Sequence, residues 1–302
     1  IKNNQQRSYK RMLALHISIL VVSIVAILTR AFIAVPDGET WSPEGLFKTF
    51  LMLAVGAGVS IIIELIYALS EGKAQEFAQY KRLVDPINTG LLIALLLPTA
   101  TPIYALVIGV AVAVYAAKIV YGGYGFYIFN PVLVGVLFIQ ITFESQIVVT
   151  GTPLMLLKEI FEGGSYVFSY FDLLIGNYEA LAIGSTSAIV LVGLLAYLII
   201  NKVVDLRTSG AYIATIALIS LIIGFVNFGA NLVMINFMVV NLITGMALFG
   251  AVFLISEAVT SPTSRETKIL YAVIVGVLTM IVRVLGKNIE GVAFAILFGN
   301  MI

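Results

Sequence analysis

The chain has 302 residues, of which 61% are hydrophobic and only 11% charged. Its mean hydropathy of +1.08 leaves too little polar surface to coat a water-soluble globule, so the solvent has to be lipid. A formal net charge of +1 provides no basic patch for nucleic acid, and zero cysteines with a single histidine, His16, exclude disulfides, thiolate zinc sites, iron–sulfur clusters ligated by this chain and bis-histidine haem.

Taken in chain order, apolar runs between charged or Gly/Pro-rich breaks predict spans at residues 12–35, 46–69, 87–100, 102–120 and 129–143. Five more follow at 186–200, 209–228, 232–256, 267–285 and 291–302. The first run is too long for a signal-peptide core and lacks a small-residue cleavage site, so it reads as a span. Three runs, at 87–100, 129–143 and 291–302, are about 12 to 15 residues long, short for a straight crossing of a roughly 30 Å hydrocarbon core. Short Gly- or Pro-bounded pieces at membrane depth suit half-helices that line a site inside the protein. The expected fold is an all-α membrane protein of about ten transmembrane helices.

A duplication is legible in this series. Thr89-Gly90, a short apolar run, a Pro-containing break, a long span and a final short segment recur from Thr244-Gly245 onward. We therefore expect one polytopic domain over 1–302, with a first repeat half at 1–143, an outer-face loop at 144–183 and a second half at 184–302. Five spans per half would set the halves in opposite orientation. With the N-terminus in the cytoplasm, twelve of the seventeen Lys and Arg residues fall on that side and five (Arg30, Lys48, Lys158, Arg283 and Lys287) on the other. That split predicts both termini in the cytoplasm and the 144–183 loop outside.

The outer loop carries Val149-Thr150-Gly151-Thr152-Pro153-Leu154, followed by a run from Met155 to Phe161 that reads as a short amphipathic helix. Thr152 is its natural N-cap and Pro153 its first residue. Free N–H groups at such an end suit a phosphate, although an ordinary capped surface helix satisfies the same spacing. At the start of the sixth span, Gly184-Ser185-Thr186-Ser187-Ala188 offers hydroxyls for capping or for a ligand. Thr260-Ser261-Pro262-Thr263 marks a helix end that needs no ligand.

Several ordered blocks together resemble one family. They are Gly122-Gly-Tyr-Gly-Phe-Tyr-Ile-Phe-Asn-Pro131-Val-Leu-Val-Gly135, the Val-Thr-Gly-Thr152-Pro-Leu loop, Gly184-Ser-Thr-Ser-Ala188, Ala258-Val-Thr-Ser-Pro-Thr263 and Glu290-Gly-Val-Ala-Phe-Ala-Ile-Leu297. The family is that of the D subunit of the Rnf ferredoxin:NAD⁺ oxidoreductase complex, shared with the B subunit of the sodium-pumping NADH:quinone reductase, and the likeness runs from about Leu83 to the C-terminus. It implies FMN attached through a phosphoester to Thr152, the threonine before Pro-Leu. This chain reads Thr-Gly-Thr where the family commonly has Thr-Gly-Ala-Thr, so Thr150 stays open as the alternative. By the same resemblance Gly184, Ser185, Thr186 and Ser187 lie near the flavin, with Ser185 in place of the family's glutamate. A further flavin such as riboflavin is left open.

Among ionisable residues inside spans, Glu64 reads as functional or interfacial, since an intramembrane charge is expensive. Asp85, beside Pro86 at the mouth of a broken helix, reads as a cap or cation ligand, and the two together mark a possible ion path. His16 reads as reaching cytoplasmic water, Lys118 as snorkelling from a helix end, and Tyr121, Tyr124 and Tyr127 as membrane-interface anchors. The resemblance implies an electron-relay subunit of a redox-driven Na⁺ or H⁺ translocating complex in a bacterial or archaeal cytoplasmic membrane. Its partners would be the other membrane and peripheral subunits, a second FMN-bearing one among them, with NAD⁺ chemistry left to those partners because no nicotinamide fingerprint and no catalytic residue or metal ligand is visible here. A cofactor-free transporter or channel with inverted repeats is the competing reading, and a purely structural anchor is a third.

Overall fold

The computed structural model describes residues 2–33, 41–73, 80–147, 149, 153, 169–178, 182–285 and 290–301, with side chains from residue 9 and, in the third helix, from residue 83. Every described element is helical, as the composition requires of a chain in lipid, where backbone groups have no water to bond. Four helices contain stretches long and apolar enough to cross a membrane: α1 (Lys2–Phe32, apolar from Tyr9), α2 (Pro43–Ser70), α8 (Leu206–Phe228) and α11 (Arg265–Leu285).

Shorter helices fill the space between them. They are α3 (Tyr80–Leu95), α4 (Ile103–Ala111, running on as a π-helix over Val112–Ile119), α5 (Pro131–Thr142), α6 (Tyr170–Ile175), α7 (Ala188–Ile200), α9 (Leu232–Ile243), α10 (Ala247–Phe249, running on as a π-helix over Gly250–Leu254) and α12 (Val292–Gly299). Local chemistry sets their starts. Ser42 accepts from Gly45 N with Pro43 at the first helical position of α2, Asn130 accepts from Val132 N with Pro131 opening α5, and Asp205 accepts from Arg207 N at α8.

The run at 232–256, expected as one span, is broken: α9 and the α10 segment meet at a bend of 50°. The break lies at Thr244–Met246, where Gly245 takes φ +65°, a left-handed conformation that a side chain disfavours. Half-helices of this kind are tolerated at membrane depth because other protein surrounds them, and α5 and α12 are accordingly buried along most of their length.

Backbones approach closely where glycines meet. A Cβ on Gly56 of α2 would lie 2.6 Å from the carbonyl oxygen of Gly90 on α3, and one on Gly135 of α5 would lie 2.8 Å from that of Gly109 on α4. Contact without a Cβ is how helices gain dispersion energy in a solvent as apolar as themselves. The middle of the chain and its last helix interlock as well. Asn130 N, at the start of α5, donates to Asn300 Oδ1 past the end of α12 at 3.2 Å, so these two short helices run antiparallel side by side. The turn at Ile183–Ser185 wedges between α1, α3 and α10, with Ile183 N bonded to Leu97 O at 3.0 Å.

Candidate functional site

Besides Arg30, buried in α1, charge is buried at two places among the described residues, one in each part of the chain. In the first, α2, α3 and α4 bring Glu64, Asp85 and Lys118 together. Lys118 Nζ donates to Glu64 Oε1 at 2.5 Å and also to Asp85 Oδ2, and its side chain is 3% exposed against 16% and 26% for the two carboxylates. Three features of sequence aim these groups at one another. Lys118 lies in the π-helical stretch of α4, whose wider turn shifts the side-chain register relative to an α-helix, and single π-turns recur at functional sites. Asp85 precedes Pro86 inside α3, where the missing N–H loosens the ladder, and Thr89 Oγ1 donates to Asp85 O at 3.0 Å across that turn. Gly56 and Gly90 draw α2 against α3, so Glu64 reaches the same point.

The sequence-predicted ion-path residues Glu64 and Asp85 are thus brought together, and the reading of Lys118 as a snorkelling end residue is corrected. Its ammonium turns inward because two carboxylates are there to receive it, and lipid headgroups offer no better exchange. His16 is corrected likewise: it is buried, and its Nδ1 lies 2.6 Å from Asn88 Oδ1, one turn along α3 from Asp85.

Around this point the connection between α4 and α5 folds over. Tyr121 and Tyr124 are exposed as interface residues should be, but Tyr127 is buried and donates to Glu257 Oε1 at 2.9 Å, tying this connection to the one that follows α10. Burial and the Glu257 charge push the Tyr127 phenol well above its ordinary value, so it stays protonated and remains a donor. Glu257 also accepts from Thr260 N and Oγ1, each at 2.9 Å, which accounts for Thr260 as a turn residue.

The second charged place lies at the helix break. Arg283, on the last turn of α11, donates through Nη1 to Asn241 O at 2.6 Å, while Glu290 Oε1 accepts from Met246 N at 2.9 Å. Arg283 Nη2 and Glu290 Oε2 face each other at 3.7 Å, both side chains almost fully buried. The guanidinium therefore sits on the carbonyl end of α9 and the carboxylate on the amide end of α10, each charge matched to the dipole of the helix end it meets. A Cβ on Gly245 would collide with Glu290 Oε1, so only glycine fits between the ends. Sequence reasoning counted Arg283 as an outer-side cation near the end of the 267–285 span and saw Glu290 only as part of a motif. The available signal was an arginine inside the apolar run Ile281-Val-Arg-Val-Leu285, with an acid at Glu290 shortly after it.

Of the expected flavin-loop residues, Thr150, Gly151 and Thr152 lie outside the described residues, as does the expected helix over 155–161; Val149 and Pro153 are buried. The turn at Gly184–Ser187 is described and buried throughout. Ser185 Oγ donates to Ala182 O at 2.9 Å, Thr186 Oγ1 to Ile183 O at 3.2 Å and Ser187 Oγ to Leu174 O at 3.5 Å. A Cβ on Gly184 would press on Leu95 Cβ and on the Phe249 ring at 2.9 and 2.7 Å. Its hydroxyls are committed to neighbouring carbonyls and its glycine to core packing.

A lipid-embedded helical chain with broken helices and buried counter-charged clusters belongs to the class of polytopic membrane transport and energy-coupling proteins. The sequence matches the family described as NQR2, RnfD, RnfE over residues 2–302, and the chain belongs to that family. It is 28% identical to the D subunit of an ion-translocating oxidoreductase complex of Alcanivorax borkumensis, covering 80% of this chain and 78% of the relative. It is 31% identical, over 71% and 67%, to the D subunit of the Na(+)-translocating ferredoxin:NAD(+) oxidoreductase complex of Acetobacterium woodii. The D subunit of the proton-translocating ferredoxin:NAD(+) oxidoreductase complex of Clostridium ljungdahlii is similar at 30%, over 71% and 69%.

Proposed function

We propose that this chain is the D subunit of an ion-translocating ferredoxin:NAD⁺ oxidoreductase complex, that it relays electrons within the membrane through FMN esterified to Thr152, and that Glu64 and Asp85 lie on the path of the coupling cation. The observation that carries the ion-path reading is the Glu64–Lys118–Asp85 cluster: helices that merely pack do not need three ionised groups at membrane depth. The membership of the whole chain in its family, with relatives named for Na(+) or proton translocation, supports the rest.

For the flavin, the support is the motif from Val149 to Leu154, whose flanking residues Val149 and Pro153 are seated in the protein. Bound FMN would supply the electron-transfer chemistry that a chain without cysteine cannot. The Thr152 hydroxyl would hold the phosphate, with Thr150 as the second acceptor. In this reading Gly184, Ser185, Thr186 and Ser187 lie near the flavin, their hydroxyls donating to neighbouring carbonyls and still able to accept from it. Two inverted halves, with the termini in the cytoplasm and the Thr152 loop outside, remain our reading of the topology. It is supported by the antiparallel α5 and α12 and by the cation split, which stands at eleven to three once the buried Lys118, Arg30 and Arg283 are left out.

The test is in-gel ultraviolet fluorescence of the denatured, purified chain. A covalent flavin survives detergent, so the unaltered chain is expected to fluoresce and Thr152→Ala to run dark. Fluorescence lost only in Thr150→Ala would move the attachment, and a dark unaltered chain would favour the cofactor-free transporter.

A further inference from the structure

The segment joining α4 to α5 is a strap fixed at both ends. Gly122 N and Gly123 N donate to Ile119 O and Lys118 O at 2.9 and 3.0 Å, which closes the end of α4, and Asn130 caps α5 while its N–H donates to Asn300 Oδ1. Between these anchors Tyr121, Tyr124, Phe126 and Ile128 are exposed, and Tyr127 is the one side chain of residues 121–129 that is buried. Its hydroxyl bonds to Glu257 and lies within electrostatic reach of Asp85, the most open member of the charged cluster with 26% of its side chain exposed. The acceptor is held ready: Thr260 N and Oγ1 both donate to Glu257 Oε2, which leaves Oε1 to Tyr127. Hinge points are present as well, since Gly122, Gly123 and Gly125 take φ of +108°, +88° and +94°. A Cβ added at Gly123 or Gly125 would meet no described atom within 4 Å, so these two glycines answer to backbone conformation rather than to packing.

We propose that residues 121–129 are a gate on the water-facing side of the Glu64–Lys118–Asp85 cluster, and that Tyr127 is the positioning residue that latches it shut against Glu257. This rests on the ion-path reading above. A path that moves an ion against its gradient has to close on one side before it opens on the other. A hydrogen bond from a strap to a half-buried carboxylate is a closure that can be made and broken without disturbing a span. The placement fits the task, because the strap leaves α4 directly after Lys118, whose ammonium holds both cluster carboxylates, and Tyr127 pins its middle beside Asp85. Glu257 follows α10, the continuation of the broken helix, so the latch also ties the gate to the other half of the chain.

The experiment labels the carboxylates of the purified complex with a water-soluble carbodiimide and glycine ethyl ester and reads each site by mass spectrometry. In Tyr127→Phe, which keeps the ring and loses the hydroxyl, the rate of Asp85 labelling is expected to rise at least threefold while that of the surface carboxylate Asp205 stays as it is. Glu257→Ala, which removes the acceptor, is expected to match it. Glu257→Gln, whose amide oxygen still accepts from Tyr127, is expected to label as the unaltered complex does. In proteoliposomes driven by reduced ferredoxin, Tyr127→Phe is expected to keep NAD⁺ reduction and to lose at least half of its cation uptake per NAD⁺ reduced. Unchanged Asp85 labelling in Tyr127→Phe overturns the proposal, as does raised labelling with a normal uptake ratio, or a Glu257→Gln complex that labels like Glu257→Ala. If one of the two latch-breaking variants fails to assemble, the other decides the matter; failure of both, or of Glu257→Gln, makes the bond a structural one and overturns the latch. Undiminished cation uptake in Glu64→Gln, with latch-dependent labelling intact, would instead overturn the ion-path reading beneath it.

Discussion

Both buried charge clusters join elements that are far apart in sequence, yet they differ in what the charges touch. At the helix break, Arg283 and Glu290 each contact a backbone end, Asn241 O and Met246 N, so the pair stands in for the hydrogen bonds that α9 and α10 lose by separating. In the Glu64–Lys118–Asp85 cluster, among the described residues, the charges bond to one another across three helices and to no helix end. Charges that cap a backbone have a structural reason to be there. Charges that satisfy none of it are the ones our proposal assigns to the path of the coupling cation.

The largest effect should come from breaking the clamp. Arg283→Met strands a buried carboxylate and should remove about 3–5 kcal/mol, read as a lowered thermal midpoint and a loss of folded protein in detergent. Removing both partners in Arg283→Met with Glu290→Met should recover much of that, leaving roughly 1–3 kcal/mol for the uncapped helix ends. Next is Gly245→Ala, which puts a side chain at φ +65° and into the Glu290 carboxylate. We expect a loss of about 2 kcal/mol or more from the same measurement. Glu64→Gln should be milder for folding, within about 1 kcal/mol, because Asp85 remains to pair with Lys118.

The smallest effect marks the other limit, an ion pair at the surface. Asp205 caps α8 and accepts from Lys268 Nζ at 2.8 Å, and chiefly this bond holds its carboxyl below the ordinary 3.8. A lowered folded-state value means the stabilisation is present above the ordinary carboxyl value and is lost as pH falls through the lower one. Asp205→Asn keeps the cap and should cost no more than about 1 kcal/mol, with the remaining acid sensitivity below about pH 4 reduced.

Much of the fold was legible because lipid leaves few options. Apolar length marks the spans, and Asn130-Pro131 and Ser42-Pro43 announce helix starts through their own chemistry. The break inside 232–256 was harder, since Thr244-Gly245 has no proline and its bend depends on Glu290 arriving at Met246 from 44 residues away. Glu64 and Asp85 could be picked out as charges in apolar surroundings, yet their shared partner could not. Position along a helix suggests that Lys118 snorkels, and only the π-helical register and the glycine crossing of α2 with α3 show that it points inward. His16 and Tyr127 were misread for the same reason: depth in a span says nothing about which face of the helix meets protein.

The distinction between the two clusters is tested most directly by cation uptake per NAD⁺ reduced, measured in proteoliposomes for the Glu64→Gln and Glu290→Gln complexes side by side. Glu64→Gln is expected to assemble but lose most of its uptake, and whatever fraction of Glu290→Gln folds is expected to keep the normal ratio. Normal uptake in Glu64→Gln, or a folded Glu290→Gln complex that is selectively uncoupled, would show that the two clusters do not divide the roles in this way.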